Sequence, residues 1–362
     1  MEKELKKYFN ENGLRFNLQK KRIWNYFDQI FGLERTRELS DIFDETFNGR
    51  DFNPSIKYKF CKNFDESVAL MYFQSDLILK CSQKILNNLI KTKPDKILEL
   101  GCYNGIFSNF LSKKISSAHV TGIDIQKNLI DFGNEKFFNQ NLQLTELDYK
   151  NLKYLNNRFD YIFTILGIEE IPHLKYDNYK IRQNQNYNSQ LEYFSKFFLS
   201  LNNVSKDNTE FLCIIRMNYY ELLSIIDAAQ TSGWKFIIEE LDFINFGSER
   251  IPILLFKKKK SDLLNISSLI DKSLEFMDKE ENQFYQILLY ENDFKRLELI
   301  AKDSYKYSET NDELFYQLYV LDEQLALFAW QTNGYVKYKK FIDKDEVKSF
   351  FIEEYGLTIG LE

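Results

Sequence analysis

Two glycines and two acids carry the first chemical signal in this chain. Gly101 and Gly105 lie in "KILELGCYNGIFSNFL", an apolar run ending in an acid, then a short turn, then an amphipathic segment. A glycine directly after a strand lets the backbone turn sharply and come close to a ligand. The helix expected to begin near Ile106 offers unpaired N–H groups at its start. A dinucleotide loop would need G-x-G-x-x-G, but the second and third positions here are Tyr103 and Ile106. A phosphate loop would need Gly-Lys-Ser/Thr, which is absent. A ligand without a diphosphate fits better. Asp124 ends the next apolar run, about twenty residues beyond the loop, where a carboxylate can accept from both hydroxyls of a ribose. Asp148 follows a third run, in "LTELDYKNL", where it could accept from an adenine amino group with Leu147 or Tyr149 against the ring. Both acids have a second reading as helix or turn caps, and Gly101 could serve the turn alone.

These residues need strands to hold them at one edge. Within a domain expected over 81–260, residues 95 to about 260 supply an alternation of short apolar runs and helical patterns. The runs are "KILEL", "VTGIDI", "LQLTEL", "FDYIFTIL", "EFLCIIRM", "KFIIEEL" and "PILLFKK". Near-continuous apolar strands alternating with helices predict a mainly parallel sheet covered on both faces. The link "DFINFGSERI" is too short for a helical crossover and permits an antiparallel hairpin. Residues 1–80 read as helical and aromatic: "LQKKRIWNYFDQIFGL" puts Ile23, Tyr26, Phe27, Ile30 and Phe31 on one face and Gly32 at a stop. "NGRDFNP" reads as a turn. Residues 261–362 read as mostly helical, with "DLLNISSLIDKSLEFM" and "LFYQLYVLDEQLALFAW" as amphipathic candidates and Asn333-Gly334 as a tight turn. The Tyr and Phe stripes of both flanks, Tyr26, Phe27, Phe328 and Trp330 among them, read as core before they read as an acceptor site.

At this level the chain resembles the class I S-adenosylmethionine-dependent methyltransferases over about 95–260. "ILELGCYNGIFS" resembles their first motif, with Tyr103 in place of the middle glycine and Gly105 retained. "VTGID" resembles the ribose motif, "LTELDY" the adenine motif and "FDYIFTILGIEEIPH" the fourth strand. "AAQTSGWKFIIEEL" with "IPILLFKK" resembles the last helix and terminal hairpin. The resemblance implies an α/β fold: a Rossmann-like, seven-stranded, mostly parallel sheet with one antiparallel strand and helical N- and C-terminal extensions. It implies S-adenosyl-L-methionine as cofactor, held by Glu99, Gly101, Cys102, Tyr103, Gly105, Asp124, Ile125, Asp148, Tyr149 and Leu166. Glu99 either braces the loop or reaches the methionine amine, and Cys102 reads as a small packing residue.

Methyl transfer from a sulfonium is an in-line displacement, so positioning carries most of it. A general base helps when the acceptor is a hydroxyl or a protonated amine. The segment after the fourth strand, "LGIEEIPHLKYDNY", holds Glu169, Glu170, His173, Tyr176 and Asp177. His173 and Glu170 are the catalytic candidates, since a histidine titrates near neutrality without tuning. His173 could equally be a surface or capping residue, and His119 falls at the wrong end of its strand. The polar stretch 175–190 is long enough to be a functional loop.

The acceptor is expected to be a small metabolite or natural-product intermediate, methylated at O or N. A peptide or protein acceptor recruited by the helical regions, or a non-catalytic methyltransferase-like scaffold, are the alternatives. Nucleobase methylation is disfavoured, because the Asn/Asp-Pro-Pro-Tyr/Phe sequence is missing after the fourth strand. The net charge of −6 offers no overall footprint for nucleic acid. No run approaches a membrane span and the charged start is unlike a signal peptide, so a cytoplasmic protein is expected. The four cysteines make no CxxC pair and there are two histidines, so no metal site is expected. The helical extensions are expected to cover the pocket or form a homodimer interface.

Overall fold

In the computed structural model, residues 2–47, 56–167, 183–216, 219–247, 249–259, 299–306, 313–321, 324–331 and 336–361 are described. The chain divides into two compact units. One comprises 1–179, 192–216 and 228–261; the other comprises 180–191, 217–227 and 262–362.

The larger unit is built on β1 (Lys96–Leu100), β2 (His119–Asp124), β3 (Leu142–Glu146), β4 (Phe159–Ile165), β5 (Ser205–Ile214), β6 (Trp234–Phe236), β7 (Asp242–Phe246) and β8 (Glu249–Lys258). The order is β3-β2-β1-β4-β5-β8-β6. The first five strands pair in parallel. β8 runs antiparallel to β5, β6 and β7. β6 pairs with the end of β8 and β7 with its start, so the two form one interrupted edge. The link expected only to turn the chain thus contains a strand, "DFINF". The strand expected over "KFIIEEL" stops at Phe236 and gives way to a 3-10 turn at Ile238–Glu240.

The central strands are apolar because both faces are covered: Ile97, Leu98, Leu100, Tyr161, Ile162 and Phe163 are all buried. The strand order reverses between β1 and β4, which neighbour each other while β2 and β5 lie outside them. That is the switch point at which an open sheet of this kind leaves a crevice.

Residues 1–80 belong to the same unit as the sheet. They form α1 (Glu2–Glu11), α2 (Lys20–Phe31), α3 (Leu33–Phe47), α4 (Ile56–Lys59), α5 (Phe64–Leu70) and the start of α6 (Ser75–Thr92). α2 ends at Gly32, whose N–H donates to the Asp28 carbonyl and whose φ of 81° turns the chain out of the helix. Asn63 caps α5 by accepting from the Glu66 N–H at 2.9 Å. α6 closes on Lys93 in the left-handed region, just before Pro94. Leu5 and Phe9 are fully buried and share one core with Phe107, Phe110 and Phe163. Burying side chains of this size stabilises the folded state by about 1.5–3 kcal/mol each. The expected turn at Asn48–Pro54 lies outside the described residues.

The helices that follow in chain order are α7 (Ile106–Lys114), α8 (Lys127–Lys136), α9 (Gln183–Asn202) and α10 (Tyr219–Thr231).

In the smaller unit the helical expectation is corrected between residues 299 and 341, where the described residues are strands. Besides parts of α9 and α10, its described residues form a meander of β9 (Leu299–Lys306), β10 (Glu313–Leu321), β11 (Gln324–Gln331) and β12 (Val336–Phe341), followed by α11 (Lys344–Tyr355). "LFYQLYVLDEQLALFAW" is the β10–β11 hairpin, with Tyr316 opposite Ala329 and Leu318 opposite Leu327. Those four residues pack with Val347, Phe350 and Phe351 of α11. Leu314, Leu318, Leu321 and Leu325 satisfy a helical spacing as well as their strand positions, so periodicity alone could not decide. "DLLNISSLIDKSLEFM" and Asn333-Gly334 lie outside the described residues.

Candidate cofactor site

The loop after β1 is held from three sides. From below, the N–H groups of Gly101 and Cys102 both donate to the Ile123 carbonyl of β2, each at 2.9 Å. Gly101 has φ +72°. A Cβ on it would lie 2.5 Å from the Cα of Gly167, just after β4. A Cβ on Gly167 would in turn meet the Leu100 carbonyl oxygen at 2.5 Å. The two glycines therefore bring the ends of β1 and β4 together backbone to backbone at the switch point. Gly167 was missed in the sequence. Its signal was a glycine directly after the fourth apolar run.

Tyr103 also has positive φ, +57°. For a residue with a Cβ this costs about 1–2 kcal/mol, which surrounding contacts must offset. Its N–H donates to Asp124 Oδ2 at 2.9 Å. Its hydroxyl donates to the Ser67 carbonyl in α5 at 2.9 Å, and its ring meets the Tyr58 ring edge-on at 5.5 Å. Gly105 follows with φ +72° and leads into α7. Asn104 is fully buried, accepts from the Ile106 N–H at 3.3 Å and donates to Ser67 Oγ at 2.8 Å. One of the N–H groups at the start of α7 is thus taken by the chain itself.

Asp124 sits at the end of β2 with Oδ1 accepting from the Gln126 N–H at 2.9 Å. The turn contact to Gln126 and the loop contact to Tyr103 together hold the carboxylate in place. Ile125 beside it is exposed. Asp148 is half-buried after β3 and accepts from the Lys150 N–H at 2.8 Å, which caps the following 3-10 turn. Tyr149 is engaged with α9: its hydroxyl pairs with that of Tyr193 and its ring meets Phe197 at 5.5 Å. Leu166 follows β4 with φ +55°, its N–H on the Ile214 carbonyl of β5.

Glu99 is buried and accepts from the Ser108 hydroxyl of α7. Burial first, and the nearby Asp124 charge second, push its carboxyl up to about 8, against the Ser108 hydrogen bond. Of its two readings, the Ser108 bond favours bracing, because it ties β1 to α7 under the loop. Cys102 is buried, and burial pushes its thiol far up. It packs where Gly122 lacks a side chain, since a Cβ there would meet Cys102 Sγ at 2.9 Å. His173, Glu170, Glu169, Tyr176 and Asp177 lie outside the described residues. Among those described, no cluster of His, Cys, Asp or Glu is arranged to hold a metal ion, and no helix is long and apolar enough to cross a membrane.

Residues 97–179, which run from β1 past β4, match the family model described as "Methyltransferase domain". This segment is similar to a methyltransferase domain. The mostly parallel sheet with antiparallel β8 agrees with the sheet that the sequence resemblance implied, with the loop after β1 and acids at the end of β2 and after β3. The demethylmenaquinone methyltransferase of Staphylococcus aureus (strain MRSA252) is 27% identical over 113 residues, 31% of this chain and 46% of that protein. That of Staphylococcus carnosus (strain TM300) is 28% identical over 112 residues, 30% and 46%. The chain thus spans about half the length of these relatives. Among solved structures, magnesium protoporphyrin IX methyltransferase from Synechocystis PCC 6803 with bound SAM is similar at 12% identity. It has a TM-score of 0.37, with 68% of this chain and 100% of that one covered. A SAM-dependent methyltransferase from Aquifex aeolicus is similar at 15% identity and TM-score 0.33, over 45% and 81%.

Proposed function

We propose that this chain transfers a methyl group from S-adenosyl-L-methionine to oxygen or nitrogen of a small-molecule acceptor. The observation that carries the reading is the loop after β1 lying beside Asp124 at the switch point of the sheet, with the Tyr103 N–H on the carboxylate. The cofactor, when bound, supplies an electrophilic methyl on a sulfonium. Asp124 would take the ribose hydroxyls, and Gly101 with Gly105 would let the backbone approach. Asp148 and Ile125 would flank the adenine. Glu99, carrying a proton at neutral pH, would hold the loop's geometry from beneath. His173 and Glu170 follow β4 in the chain just beyond Gly167, and they would take the acceptor's proton where one must leave. The rest of the rate enhancement would come from orientation. The relatives named for demethylmenaquinone support a small-molecule acceptor.

Calorimetry tests this. The protein should bind S-adenosyl-L-methionine and its demethylated product, and Asp124→Ala should weaken both by about 1–3 kcal/mol, as for a hydrogen bond to a charged group. No binding by the unaltered protein, or equal binding by the variant, would overturn the assignment. Native mass spectrometry of the purified chain, read for a second copurified mass, would identify the acceptor class.

A further inference from the structure

Tyr103 stands where the resembling family keeps a glycine, and it accepts a positive φ to do so. One backbone contact and two side-chain contacts tie it in place. Its backbone N–H holds Asp124 Oδ2 at 2.9 Å. Its hydroxyl holds the Ser67 carbonyl at 2.9 Å. Its ring meets that of Tyr58 in α4. The neighbouring Asn104 repeats the link through Ser67 Oγ, and Asn128 of α8 donates to the Tyr58 carbonyl at 2.9 Å. The helical segment that carries Ser67 is itself a braced piece. Arg35 of α3 donates to both carboxylate oxygens of Glu66 at 2.6 and 2.9 Å and to the Phe60 carbonyl at 2.7 Å. One residue therefore touches both Asp124 and the N-terminal helices.

We propose that Tyr103 is a positioning residue that couples cofactor binding to the docking of residues 58–70 on the loop. The inference rests on the reading of this site as the S-adenosylmethionine site. When a ligand on Asp124 fixes the loop, Tyr103 holds its hydroxyl at Ser67, and α4–α5 open less often. The same coupling acts in reverse: whatever docks the helices pre-arranges Asp124, because linkage between two sites is reciprocal.

The test is hydrogen exchange of the full chain, with and without saturating S-adenosyl-L-methionine, read on peptides covering 58–70 and 96–105. Tyr103→Phe removes the hydroxyl and keeps the ring. Tyr103→Gly relieves the backbone and removes both. In the unaltered protein the cofactor should slow exchange in both peptides. In both variants protection at 96–105 should persist, while that at 58–70 should be largely lost. Losing one neutral hydrogen bond should raise the cofactor's dissociation constant about three- to tenfold in Tyr103→Phe. Without cofactor, 58–70 should already exchange faster in both variants than in the unaltered protein. A residue that only fills space would leave Tyr103→Phe like Tyr103, and a residue that only costs strain would make Tyr103→Gly bind more tightly. Either result would overturn the coupling. A protein that binds no cofactor would refute the functional reading instead. The cofactor-free comparison would then still show whether the tie to Ser67 holds the helices.

Discussion

Glu99→Gln separates a bracing acid from a charged one. Glu99 lies on β1 opposite Gly122 of β2 and Phe163 of β4, and is 4% exposed. Burial and the Asp124 charge lift its carboxyl from the usual 4.5 to about 8. The folded protein therefore keeps a proton that the unfolded chain releases between those two values. Stability is full below the unfolded value and is lost as pH rises toward the folded one. The slope approaches about 1.4 kcal/mol per pH unit while the two states differ by a whole proton. Glutamine matches the protonated acid in shape and still accepts from Ser108, but does not titrate. Between about pH 5.5 and about pH 7.5 the variant should thus gain on the order of 2–3 kcal/mol relative to the unaltered protein. Hydrogen exchange of β1 and β4 amides, which report the most protected openings of this unit, measures it. If the stability difference between the two proteins is the same at both pH values, Glu99 carries no raised proton affinity and the account fails.

Other perturbations follow from the same contacts. Gly101→Ala should abolish cofactor binding, because its Cβ meets the Gly167 backbone at 2.5 Å; Gly32→Ala, with positive φ but nothing within 4 Å, should cost only about 1–2 kcal/mol in exchange-derived stability. Arg35→Met should destabilise the N-terminal helices by about 3–5 kcal/mol, since Glu66 would be left buried without its partner; urea unfolding, with Glu66→Gln added as the rescuing second change, checks it. Phe351→Ala should cost about 3–5 kcal/mol, because Phe351 is fully buried and its ring lies 4.8 Å from that of Tyr316; the loss should appear in exchange of β10 and not of β1.

The parts of the fold legible in the chain are those written in neighbouring residues. β1, the glycine turn and α7 run through consecutive positions, and so do the strand-ending acids. Their types and spacings were enough to indicate a parallel sheet and a ligand without a diphosphate. The helix over Lys20–Phe31 with its stop at Gly32 was legible for the same reason. β10 and β11 were not. Their leucines fit two periods, and a strand becomes the lower-energy choice only when a partner strand and α11 take up its faces. β7 was hidden in a link for a similar reason, because "DFINF" gains its ladder only from β8.

The sequence by itself determined the class of the sheet and which residues stand at the carboxyl ends of its strands, because strands, turns and caps are short-range choices of the backbone. Tertiary structure alone decided what those residues touch. Gly101 meets Gly167 from 66 positions away, and the Tyr103 hydroxyl finds Ser67 from 36. No local preference encodes either contact. Each exists because burying the N-terminal helices and the sheet in one core brings those distant backbones together.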